Sequence, residues 1–221
     1  MSTALAVASP SRDCPLCPRL VGFRATQRAT HPDWHNAPVP SWGSENAELL
    51  IVGLAPGLRG ANRTGRPFTG DYAGDLLYAT LLKFGLAEGT YAGHVNDGLV
   101  LSHARIVNAV RCVPPQNKPE TLEIAACRLF LTAEFAALPN VRVILALGAI
   151  AHNAVLSAKG LTRSAYPFAH GARHALPGGP LLADSYHCSR LNTNTGTLTP
   201  EMFEAVFAMI TERLNLRSAP A

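Results

Sequence analysis

Four short apolar runs, Leu49 to Leu54, Arg105 to Val110, Val141 to Leu147 and Pro180 to Ser185, constrain this chain's fold more than any other feature. Each has the length of a strand, and each reads as near-continuous Val, Ile, Leu and Ala, the pattern of strands covered on both faces. Helical patterns lie between and after them. Gly74 to Phe84 stops at Gly85, Pro119 to Leu138 opens on a proline and ends before Pro139, and a third runs from Ala149 to Ala158. The last takes Thr199 as its cap and Pro200 in its first turn, and sets Phe203, Val206, Phe207, Ile210 and Leu214 on one face. Strands alternating with helices predict an α/β chain, a three-layer α/β/α sandwich around a four-stranded parallel sheet. Ligands then bind beyond the carboxyl ends of the strands.

With 221 residues, 48% of them apolar, the chain can bury a substantial core, and one domain over residues 1–221 is expected. No internal repeat interrupts it, and the proline-rich stretch from His31 to Trp42 reads as a loop over the domain surface. The excess of 19 basic over 15 acidic residues, +4 in all, favours contact with polyanions without specifying one. Met1 to Pro10 hold only a short apolar run with no basic start, and no stretch approaches the roughly 20 apolar residues of a membrane span. The expectation is a cytoplasmic protein without membrane contact.

Five cysteines in a reducing compartment call for a reading as metal or cluster ligands rather than disulfides. Cys14 and Cys17 form a CxxC, Cys112 follows the second apolar run, and Cys127 lies in the second helical pattern. Four thiolates suit a tetrahedral zinc or an iron–sulfur cluster, and spacing alone leaves both open. Either group would tie residues 1–45, an amino-terminal extension, to the α/β core. That role is structural and needs no redox change.

Chemistry-bearing residues fall just after the strands. Gly53 to Asp71 form a long glycine-rich loop in which exposed amides and Arg59, Arg63 and Arg66 are candidate phosphate contacts. The loop lacks the closing Gly-Lys-Ser/Thr of nucleotide-binding loops. Phe68 within it is either a ring to stack on a base or a core anchor. Asn108, at the end of the second run, offers a donor and an acceptor able to pair with the edge of a base, or else braces a loop. His187 follows the fourth run, and Arg190 with the polar stretch Asn192 to Thr197 could make a wedge or phosphate clamp for DNA.

Together these segments resemble family 5 (UDGb-type) of the uracil-DNA glycosylase superfamily. The resemblance covers nearly the whole chain: CPLC, GLAPGLRGANRTGRPFTGD, VNAVRCVPPQNKP and HCSRLNTNTGTLT, in that order. It implies a 4Fe-4S cluster on Cys14, Cys17, Cys112 and Cys127, with Phe68 stacking on the base, Asn108 reading its edge and His187 as the catalytic histidine. Cys188 departs from the proline usual after that histidine and is expected to be a packing difference rather than a ligand.

The resemblance also shapes the expected chemistry. Ala55 stands where better-known glycosylases carry a water-activating acid or amide. The burden therefore passes to stabilising the leaving base, and His187 is the candidate donor. Asn62 is the candidate holder of the attacking water, and Asp71 and Asp75 read as helix-start residues. The expected activity is monofunctional excision of uracil, and of other deaminated bases such as hypoxanthine, by a monomer acting on double-stranded DNA, with single-stranded DNA a second candidate substrate. Mispaired bases should be preferred because they flip at lower cost. Two rivals stand beside this reading: a family 4-like enzyme strict for uracil, and a non-catalytic DNA-binding protein stapled by a metal.

Overall fold

The computed structural model describes residues 9–216. The Met1 to Pro10 reading and the start of the amino-terminal extension fall largely outside that range. Among the described residues no helix is long and apolar enough to cross a membrane.

The chain runs through α1 (Pro18–Thr30), β1 (Trp42–Gly43), β2 (Leu49–Gly53), α2 (Ala61–Thr64), α3 (Tyr72–Lys83), β3 (Ala87–Glu88), β4 (Val100–Leu101), β5 (Ala104–Asn108), α4 (Thr121–Ala137), β6 (Val143–Leu147), α5 (Ala149–Ala158), β7 (Arg173–Ala175), β8 (Leu181–Ser185), α6 (Arg190–Asn194) and α7 (Pro200–Leu214). The four apolar runs become β2, β5, β6 and β8, which lie parallel in the order β5-β2-β6-β8. The sheet is nevertheless six-stranded and mixed, because β1 and β7 add antiparallel edges. Both edges are too short and too exposed to carry a periodic apolar signal. β1 also depends on Gly43, at φ 119, since a Cβ there would lie 2.4 Å from the Ala104 carbonyl oxygen.

Alternate residues of each parallel strand feed opposite layers, which is why the runs are apolar throughout. Leu49, Ile51, Ile106, Val143 and Leu145 pack with Leu77 and Leu81 of α3 and Phe203, Phe207 and Ile210 of α7. Leu50, Val52, Val107, Ile144 and Leu182 pack with Leu131 of α4 and Ala151 and Val155 of α5. α7 starts as expected, with the Thr199 hydroxyl accepting from the Met202 amide and Pro200 in the first turn.

The amino-terminal extension is more integrated than a tethered arm. It supplies β1 to the sheet, and α1 is fastened by Arg19 to Glu123 and by the buried Arg24. The stretch from His31 to Trp42 also departs from a surface loop, because Asn36, Ala37 and Val39 are buried.

Candidate active site

The carboxyl ends of β2, β5 and β8 open onto a cavity of about 410 Å³, lined among others by Leu54, Ala55, Gly57, Phe68, Asp71, Asn108, Asn117, His187 and Arg190. Its floor rests on one glycine. Gly53 pairs with Asn108 across β2 and β5, and a Cβ on it would lie 2.4 Å from Asn108 Oδ1 and 2.7 Å from Phe68 Cζ. Only a bare backbone lets the amide and the ring meet there.

Asn108 is buried, and its Oδ1 has no hydrogen-bond partner among the described residues. Such an atom is costly unless a ligand supplies the missing bond. Phe68 stands at φ 51, a backbone conformation that aromatic residues rarely adopt. Strain of this kind concentrates where a side chain must be aimed. Its ring lies 5.9 Å from that of His187 at an interplanar angle of 29°.

The His187 carbonyl accepts a hydrogen bond from Asn192 Nδ2 at 2.8 Å, which ties the segment just after β8 to α6. Burial pushes the His187 imidazole down to about 4, so the ring is neutral at physiological pH. Asp71 caps α3, its Oδ1 accepting from the Gly74 amide at 3.2 Å. Its other oxygen sits where Cβ atoms on Gly57 and Gly60 would be 2.9 and 2.1 Å away, so both glycines make room for the carboxylate at the cavity wall. Burial raises the Asp71 carboxyl above its usual range, against the pull of the Gly74 and Ala73 amides.

The candidates from sequence do not all converge. Ala55, Phe68, Asn108, His187 and Arg190 line the cavity. Arg59 and Arg63 are exposed on the loop that forms one wall. Asn62 is displaced from the cavity: Ala61 lines it instead, and the Asn62 amide nitrogen donates to Asn36 Oδ1 at 2.9 Å in a buried pair. Asp71 lines the cavity where Asn62 does not, and its cap bond engages Oδ1.

Arg66 is a second correction. It points inward, donating from both terminal nitrogens to Asp97 at 2.8 and 2.7 Å, and its guanidinium lies 4.8 Å from the Trp42 ring centroid. It braces the loop and cannot serve as a phosphate contact. Because this pair is almost fully buried, Asp97→Ala should leave an unpaired internal charge and lower stability by about 3–5 kcal/mol. Denaturant unfolding measures this, and a midpoint equal to wild type would contradict it.

Asn117, which sequence reasoning missed, also lines the cavity. It follows Gln116, and both are left-handed at φ 56 and 55. Asparagine's tolerance of that conformation, in a segment after a strand end, was the available signal. Leu191, next in sequence to the cavity-lining Arg190, is 72% exposed, an unusual position for a large apolar side chain.

Cys14, Cys17, Cys112 and Cys127 border one small apolar pocket with Leu20, Val110 and Phe130, and Ala55 packs against the same cluster. Arg24 donates to Cys112 Sγ at 3.4 Å and the Arg111 amide donates to Cys127 Sγ at 3.3 Å. Burial pushes the Cys112 thiol up to about 11 and the Cys127 thiol to about 12. Cys188 lies apart, buried in the core, with its thiol donating to the Ala73 carbonyl at 3.4 Å.

Comparison with known proteins agrees with this architecture. Residues 40–211 match the model of the uracil DNA glycosylase superfamily. A type-5 uracil-DNA glycosylase of Thermus thermophilus is 49% identical over 196 residues, covering 86% of this chain and 89% of the relative. One from Mycobacterium leprae is 44% identical over 88% of each. A type-4 uracil-DNA glycosylase of Pyrobaculum aerophilum aligns over only 55% of each chain, at 34% identity. The match spans the sheet and every cavity-lining loop, so the chain belongs to the uracil DNA glycosylase superfamily, where its long-range resemblance is to type-5 members.

Proposed function

We propose that this protein is a monofunctional uracil-DNA glycosylase that also removes other deaminated bases such as hypoxanthine. The observation that carries the reading is the convergence of Asn108 Oδ1, the Phe68 ring and a neutral His187 at one cavity. A base swung out of the duplex stacks on Phe68 and supplies the bond that Asn108 lacks. His187 donates to the departing base, whose ring takes the electron pair of the broken glycosidic bond. Asp71 orients water and accepts its proton as the water oxygen bonds to the sugar carbon. Ala55 contributes only shape, leaving the wall beside the base apolar.

In this reading the exposed Arg59, Arg63 and Arg190 hold backbone phosphates, and the exposed Leu191 fills the gap that a flipped base leaves in the stack. Double-stranded DNA is the expected partner, with single-stranded DNA accepted where no pair must be opened. The cavity volume falls in the range of roughly 300–1,000 Å³ typical of small-ligand sites, which favours a pocket not limited to one pyrimidine.

The four cysteines fit a 4Fe-4S cluster: four thiols around one apolar pocket, with two N–H groups donating to sulfur. Bound there, the cluster would hold α1 against α4 and the start of the loop after β5.

Incubating the protein with an oligonucleotide bearing one uracil, then treating it with alkali, should break the strand at that base. Intact strands for every deaminated base tested would refute the enzyme reading. The protein as purified should be brown and carry iron and acid-labile sulfide; a colourless, zinc-bearing protein would refute the cluster.

A further inference from the structure

The α4/α5 face of the sheet holds a polar cluster that neither the base cavity nor the cysteines use. Asp184 of β8 is completely buried, and His152 of α5 and His174 of β7 face it, with ligand-type atoms of all three within 4.8 Å of one another. We propose that these three residues form a binding site for a divalent transition metal, with zinc the best match to the donor set. Two imidazoles and one carboxylate, with a fourth position left for water, make an ordinary zinc environment.

The hydrogen bonds point the same way. His152 Nε2 lies 2.8 Å from the Tyr166 carbonyl oxygen, which can only accept, so that nitrogen carries the proton. Its Nδ1 lies 2.7 Å from Asp184 Oδ1, a hydrogen bond whose proton an ion held by both atoms would displace. Metal-bound histidines characteristically fix their outer nitrogen on such a carbonyl. On the other side, His174 Nε2 and Asp184 Oδ2 lie 3.6 Å apart, both buried atoms and both without a hydrogen-bond partner among the described residues. At zinc bond lengths of about 2.0–2.1 Å, tetrahedral ligand atoms sit about 3.3 Å apart. The 3.6 Å separation leaves room for an ion that would satisfy both orphaned atoms, and the 2.7 Å hydrogen-bonded pair would open as the ion replaces its proton. A metal here would clamp α5, β7 and β8 together, three residues before His187. Its role is to hold the strand end that carries the histidine, not to touch the base.

The test uses the whole protein as purified, stripped of loosely held metal with a chelator and titrated with cobalt(II) as the probe. One equivalent should bind with ligand-field bands in the visible and without the near-ultraviolet charge transfer of a cobalt–thiolate site. That separates it from any cobalt on the cysteines. His174→Ala, on the edge strand, should lose this equivalent while the sulfur site is unchanged, and zinc should raise the melting temperature of wild type but not of the variant. A spectrum with only thiolate character, or equal nitrogen/oxygen-type binding by wild type and variant, would overturn the site. The wild-type spectrum decides the matter even if the variant does not fold.

Discussion

His187→Ala is expected to slow uracil excision on the order of 100- to 1000-fold while leaving affinity for uracil-containing DNA nearly unchanged. The size of the effect follows from where charge develops. Breaking the glycosidic bond leaves negative charge on the base, and a donor already in place gains strength as that charge grows. Before the bond breaks, His187 faces a neutral base, so its removal costs little binding. Single-turnover excision and equilibrium binding on the same oligonucleotide separate the two, and equal losses in both would make His187 a binding residue instead. The pH dependence gives an independent check. Burial holds the imidazole at about 4 rather than the ordinary 6.5, so the neutral donor persists across the physiological range. An inflection near pH 6.5 in wild type that disappears in His187→Ala would contradict this. The same shift affects stability in a defined direction. Between about 6.5 and 4 the unfolded chain takes up the proton first, so this histidine lowers stability as pH falls through that window.

Much of this site was legible in the sequence, and the gaps have physical reasons. The four parallel strands stood out because layers on both faces demand unbroken apolar runs. The cavity residues Phe68, Asn108 and His187 were found by looking just beyond those strands. α1 left no trace in the periodicity because it buries only Leu20, Arg24 and Gln27, two of them polar, the first two beside the cysteine pocket. Arg66 looked like its exposed neighbours Arg59 and Arg63. Its direction is set by Asp97, 31 residues later, and by an aromatic box contributed from three segments. The placement of Asn62 away from the cavity and of Asp71 in its wall has a related reason. A cap motif is local and readable, but the second carboxylate oxygen reaches the cavity wall only because Gly57 and Gly60 fold back against it.

That difference in placement gives the second large prediction. Asp71→Asn should lower excision by about 100- to 10,000-fold, the range for loss of a positioned general base. Asparagine is among the best capping residues, so its side-chain oxygen can still accept from the Gly74 amide and α3 should start as before. Stability should therefore change little, which separates the chemical role of the carboxylate from its structural one. Asn62→Ala should show the opposite pattern. Removing its amide leaves Asn36 Oδ1 without its buried donor and costs about 1–3 kcal/mol, while excision per folded molecule stays near wild type. Thermal unfolding and single-turnover rates measured on both variants decide between the two residues. If Asn62→Ala abolished excision in a stably folded protein while Asp71→Asn remained active, the attacking water would belong to Asn62. The burial that raises the Asp71 carboxyl strengthens it as a base once ionised, which is the property its proposed proton-accepting role needs.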